Sequence, residues 1–129
     1  MKKTKKSELW TQTKNKNSLG MHLVADFWFG KTIEDPKEIK RVLIEAAKRG
    51  KNVPLEFSFH KFNPQGITGI LLLAESHISL HSWPEFGFVA IDIFSCGKKK
   101  FPERALKYLK SVFKPKKIEV TKIVRGKLK

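Results

Sequence analysis

Hydrophobic positions along this chain follow two periods in turn, and the switches between them mark the elements. Met21 to Phe29 reads as a strand. Pro36 after Asp35 opens an amphipathic helix, with Ile39, Val42, Leu43, Ala46 and Ala47 on one face and Gly50 as its stop. Leu55, Phe57 and Phe59 alternate as a strand leading to Phe62, and Ile70-Leu71-Leu72-Leu73-Ala74 is a short apolar run suited to an interior strand. After Ser76 the alternation becomes strict. His77, Ser79 and His81 fall on one face and Ile78, Leu80 and Ser82 on the other. Pro84 lacks a donor, so Ser82-Trp83-Pro84-Glu85 must turn, and a strand from Phe86 to Phe94 then carries Cys96 back to the edge where Ser76 starts. Pro102 opens a second helix with Ala105, Leu106, Leu109, Val112 and Phe113 on one face, and Lys117 to Val124 closes as a strand. The simplest packing is an α+β, two-layer α/β sandwich: an antiparallel sheet with two helices on one face. Residues 1–17 are polar and Lys-rich and are expected to be a flexible basic arm, with residues 18–129 as the folded domain.

Length and charge change this picture little. A chain of 129 residues supports one domain with a modest core, and no apolar run approaches the roughly 20 residues of a membrane span. The basic start, Met1-Lys2-Lys3-Thr4-Lys5-Lys6, is not followed by the apolar segment of a secretory signal. A single cysteine excludes an intrachain disulfide framework and suits a reducing compartment, so a cytoplasmic location is expected. The formal charge is +15, and between Lys98 and Lys129 thirteen Lys or Arg residues stand against Glu103 and Glu119. That excess would attract a nucleic acid or other polyanion by counterion release. Most of these lysines fall on the polar sides of the second helix and last strand, where a solvated face explains them. Weak, salt-sensitive polyanion binding is the expectation, with a nucleic-acid-binding domain as the distant alternative function.

Chemistry concentrates in Ala74-Glu75-Ser76-His77-Ile78-Ser79-Leu80-His81-Ser82-Trp83-Pro84-Glu85 and in Phe94-Ser95-Cys96-Gly97. Reactive groups in so apolar a stretch are costly to bury unless paired or used. Taken singly they are unremarkable: a lone Cys before Gly is usually a small buried hydrophobe, and a strand His usually a satisfied structural residue. There is no Gly-x-Ser-x-Gly elbow, and one Cys with scattered His gives no metal-ligand spacing, so no metal site is expected.

As a set they resemble a known family. Glu75-Ser76-His77, His81 five residues after the serine, Trp83-Pro84-Glu85, and Cys96-Gly97 twenty residues after the serine look like the bacterial and archaeal pyruvoyl-dependent S-adenosylmethionine decarboxylases. Phe62-Asn63-Pro64-Gln65-Gly66-Ile67-Thr68-Gly69 looks like that family's Phe-x-Pro-x-Gly-x-Ser-Gly segment, and Leu19 to Phe27 like its first strand. The resemblance runs from about Ser18 to Gly126 and implies a precursor that cuts itself between Glu75 and Ser76 into a β chain, 1–75, and an α chain, 76–129. It implies that Ser76 attacks the Glu75 carbonyl, that Thr68 assists at the oxyanion, and that His81 is the base that lets the resulting ester leave by elimination. Ser76 is thereby the precursor of a covalent pyruvoyl group, the cofactor that takes the substrate amine as a Schiff base and accepts electrons as carbon dioxide leaves. Cys96 is implied as the proton donor, a role suited to a thiol with an ordinary pKa of about 8.5.

The same resemblance assigns Phe62 to stacking on the adenine and Glu85 to the ribose hydroxyls of S-adenosylmethionine, for polyamine synthesis. Thr68 stands where the family usually has serine; its extra methyl restricts the rotamer and predicts slow self-processing. A pyruvoyl-dependent decarboxylase of ornithine or arginine is the alternative, since the processing motif builds the cofactor and not the pocket. Finally, the resemblance implies a homodimer with two sites shared across the interface.

Overall fold

A computed structural model describes residues 18–96 and 100–128. The elements in chain order are β1 (Ser18–Trp28), α1 (Pro36–Arg49), β2 (Pro54–Lys61), β3 (Ile67–Leu73), β4 (Ser76–Trp83), a 3-10 turn (Pro84–Phe86), β5 (Phe88–Ser95), α2 (Phe101–Phe113) and β6 (Lys117–Lys127). The strands form one six-stranded sheet in the order β2-β3-β4-β5-β1-β6, and every neighbouring pair is antiparallel. The expected basic arm, residues 1–17, lies outside the described residues, as do Gly97, Lys98 and Lys99.

Period two sorts each strand between a face packed on the helices and an open face. The packed face carries Leu23, Ala25 and Phe27 from β1, Ile67, Leu71 and Leu73 from β3, Ile78 and Leu80 from β4, and Val89, Ile91 and Ile93 from β5, all buried. Onto them α1 lays Ile39, Val42, Leu43, Ala46 and Ala47, and α2 lays Phe101, Ala105, Leu106, Leu109 and Phe113. Gly69 is what lets α1 sit close: a Cβ there would meet Ile39 Cγ2 at 3.2 Å. The Asp35 carboxylate caps α1 by accepting from the Lys37 N–H at 3.0 Å, an interaction worth about 1 kcal/mol. The expected two-layer sandwich is thus the observed one.

Both terminal strands run further than their apolar patterns suggest. β1 begins at Ser18, not Met21, and β6 continues to Lys127, not Val124, because the two pair from Ser18↔Lys127 to Trp28↔Lys117. Backbone pairing continues where hydrophobic alternation has stopped. On the far edge, β2 leaves Leu55 and Phe59 exposed while Phe57 packs against the core.

Candidate active site

Two clusters stand at opposite ends of β4. At its start, the β3–β4 connection is only Ala74 and Glu75, and Glu75 is left-handed at φ 67°. A non-glycine residue held there costs about 1–2 kcal/mol, stored next to the Glu75–Ser76 bond. The Ser76 side chain is buried on the helix side, and its Oγ accepts from the Cys96 N–H at 3.3 Å. The expected return of Cys96 to the edge where Ser76 begins is therefore found. Burial first, and the Glu75 carboxylate second, push the half-buried Cys96 thiol above its ordinary range, so it stays protonated at neutral pH.

At the other end lies a cleft of about 320 Å³ lined by Phe62, Gln65, Gly66, Thr68, His81, Ser82, Trp83 and Glu85. Thr68 faces His81 across the β3–β4 ladder, and Thr68 Oγ1 is 3.0 Å from His81 Nδ1. The floor is held by side chains. Ser82 Oγ accepts from the Ile67 N–H at 3.0 Å, and Glu34 Oε1 accepts from the Gly66 N–H at 3.1 Å. Gly66 sits at φ 105°, and a Cβ on it would meet the Ser82 carbonyl oxygen at 3.1 Å, so this turn needs glycine. Phe62 and Glu85 stand exposed on the lip, and Trp83 stacks on Phe88 at 5.3 Å.

The structure thus joins Ser76 to Cys96 and joins Thr68 to His81, Phe62 and Glu85, but it separates the two groups. Ser76 and His81 lie five positions apart on one strand, about 17 Å at the rise of extended chain, and odd spacing puts them on opposite faces. Within one chain, His81 cannot act on Ser76.

Two further residues of the open face, His22 and Asp92, were not assigned a role from the sequence, and they meet His77 there. His22 of β1, Asp92 of β5 and His77 of β4 place one donor atom each within 4.8 Å of one another. No spacing along the chain signals this cluster, because His22 and Asp92 are 70 positions apart.

Residues 21–126 match the family described as S-adenosylmethionine decarboxylase. The S-adenosylmethionine decarboxylase proenzyme of Methanococcus vannielii is 39% identical over 110 residues, covering 84% of this chain and 90% of that one. The proenzyme of the same name from Acidithiobacillus ferrooxidans is 39% identical over 113 residues, covering 86% of this chain and 85% of that one. Among solved structures, the adenosylmethionine decarboxylase of Aquifex aeolicus superposes with a TM-score of 0.82 at 32% identity, over 88% of this chain and 95% of that one. Fold and motif together define a carboxy-lyase of the two-layer α/β class. The chain belongs to the S-adenosylmethionine decarboxylase family.

Proposed function

We propose that this chain is a self-processing, pyruvoyl-dependent S-adenosylmethionine decarboxylase that works as a homodimer, each site pairing the Ser76–Cys96 end of one protomer with the Thr68–His81 cleft of its partner. The separation of these two groups by about 17 Å within one strand is the observation that carries the reading. Family membership, the intact Glu75-Ser76 pair and the proenzyme names of the relatives support it. The open sheet face supplies a surface for the partner: Leu72, Trp83 and Ile123 there are 46%, 41% and 43% exposed.

Ser76 Oγ attacks the Glu75 carbonyl carbon, a C–O bond forms as the peptide C–N bond breaks, and the left-handed strain at Glu75 is released. The partner's Thr68 hydroxyl donates to the transient oxyanion. With its proton on Nδ1 donated to Thr68 Oγ1, the partner's His81 keeps the Nε2 lone pair that removes the Cα proton of residue 76. Oγ then departs with the Glu75 carboxylate. Addition of water and loss of ammonia leave the new end as a ketone, and this pyruvoyl group, when formed, supplies the electron sink for decarboxylation. Cys96, held protonated by burial, delivers a proton to the substrate carbon. Phe62 offers a ring for adenine and Glu85 a carboxylate for the ribose and for the sulfonium charge.

The compartment belongs to the same proposal: one thiol and no disulfide suit the cytosol, and among the described residues no helix is long and apolar enough to cross a membrane. The deciding experiment supplies purified protein separately with carboxyl-labelled S-adenosylmethionine, ornithine and arginine and collects carbon dioxide. Release from the first alone is expected, whereas release from a free amino acid in preference would reassign the substrate.

A further inference from the structure

Self-cleavage removes two things that hold the start of β4: the covalent β3–β4 hairpin, and the Ser76 hydroxyl that accepts from the Cys96 N–H, because that oxygen departs with Glu75. A strand end newly released in this way frays unless something else anchors it. The first side chain after the break is His77, and the open face of the sheet is built around it.

His77 Nε2 lies 3.4 Å from Asp92 Oδ2, and Ser79 Oγ reaches the same oxygen at 3.4 Å. Asp92 Oδ1 takes a close hydrogen bond from His22 Nε2. From the edge strand, Arg125 Nη1 lies 3.2 Å from His22 Nδ1. A guanidinium can only donate, so Nδ1 of His22 must accept; the ring proton is then on Nε2, where it faces Asp92. Each proton in the chain from Arg125 to His22 to Asp92 therefore has one place, and the carboxylate is left to accept from His77. Phe94 is the common platform. His77 stacks on its ring at 5.9 Å, His22 meets it edge-on at 5.5 Å, and the Arg125 guanidinium lies over it at 5.9 Å.

The same tautomer argument separates this arrangement from a metal centre. A ligating histidine presents a bare nitrogen to the ion and a proton on the other nitrogen. Here Arg125 demands the reverse at His22.

We infer that Arg125, His22, Asp92 and His77 form a positioning network that holds the first residues of β4 in register once the chain is cut, so that residue 76 stays opposite Cys96 during turnover. The network is dispensable for cleavage itself, when the hairpin still holds Ser76. This inference rests on the self-processing reading above.

The test uses the full chain with Asp92→Ala, and with Arg125→Ala on the exposed edge strand as a change that threatens the fold less. Variants are compared with wild type by light scattering to confirm the same mass. Precursor cleavage is followed on gels and by mass spectrometry, and the cleaved protein is assayed for kcat and KM. Asp92→Ala should cleave within a factor of about two of wild type yet lose about 10- to 100-fold in kcat with little change in KM, as a misplaced reacting group does. Arg125→Ala should lose less, in the same direction. Amide exchange over residues 77–80 should rise in cleaved Asp92→Ala but not when Ser76→Ala keeps the chain intact. Equal exchange in both backgrounds, or wild-type kcat in both variants, would overturn the network. So would a saturable zinc site, measured by calorimetry, that disappears with Asp92→Ala. A wild-type chain that never cleaves would instead overturn the self-processing reading, which separates the two failures.

Discussion

If each site needs the Ser76 end of one chain and the His81 end of another, two inactive variants must restore one another in a countable way. Ser76→Ala cannot form the new amino end but keeps a sound Thr68–His81 cleft; His81→Ala keeps Ser76 and Cys96 but lacks the base. Mixed as unfolded chains in equal amounts and refolded, half of the dimers are hybrids, and each hybrid has one site with both functional halves and one with both defects. About one quarter of all sites should therefore be intact, and about a quarter of wild-type decarboxylation should return from parents that have almost none. Cleavage gives an independent count: about half of the His81→Ala chains should be cut, and none of the Ser76→Ala chains. A site completed within one chain predicts no recovery at all, since every chain then carries a defect. Recovery near zero in a mixture shown to contain hybrids by mass would refute the geometric argument, because the separation of Ser76 from His81 would no longer be bridged by the partner.

Two further outcomes follow from the environments of Cys96 and Thr68. Cys96→Ala should still cleave but lose most turnover, and in the wild type the raised thiol pKa makes the donor available at neutral pH and lost only as pH climbs through that raised value; the alkaline limb of kcat should lie above the ordinary thiol range and vanish in the variant. Thr68→Ser keeps the hydroxyl beside His81 Nδ1 and removes the methyl that restricts it, so precursor cleavage, timed on gels, should quicken several-fold, and an unchanged or slower rate would show that the methyl is not what limits processing.

The fold was legible because period two and period 3.6 are imposed by burial, and the two helices and four inner strands of this chain each bury one face. Ile78, Leu80, Val89, Ile91 and Ile93 announce the packed side of β4 and β5, and Asp35-Pro36 with Gly50 bounds α1. What alternation could not report is pairing beyond its own range. Ser18 to Gly20 and Arg125 to Lys127 join the sheet through backbone bonds that carry no side-chain signal. The family was legible as residue types at fixed spacings, but nearness along the chain was a poor guide to nearness in space. His81 follows Ser76 by five positions, and in a helix that would be little more than one turn; in a strand it is the length of the sheet. Conversely, Cys96 lies twenty positions from Ser76 and touches it, because β4 and β5 are neighbours. The network of His22, Asp92 and Arg125 needs the strand order β4-β5-β1-β6, which no local pattern in the sequence contains.

In the proposed dimer one strand supplies both the nucleophile and the base, but to different sites, and this restricts how two copies can associate. Suppose the contact were head-to-tail, the Ser76 end of each chain meeting the His81 cleft of the next. Such a contact closes only if the rotation happens to return to its start, and otherwise grows without limit, leaving an unfinished half-site at either end. A two-fold axis removes that difficulty, since wherever the Ser76 end of one chain meets the His81 cleft of the other, the reverse contact is made by symmetry. The open face offers such a contact apolar Leu72, Trp83 and Ile123 at its margins, and between them His22 and His77, both hydrogen-bonded to Asp92 within the protomer. Desolvating that network on association would leave the Asp92 carboxylate accepting from His22 and from His77, with the Arg125 guanidinium one residue away as the opposing charge.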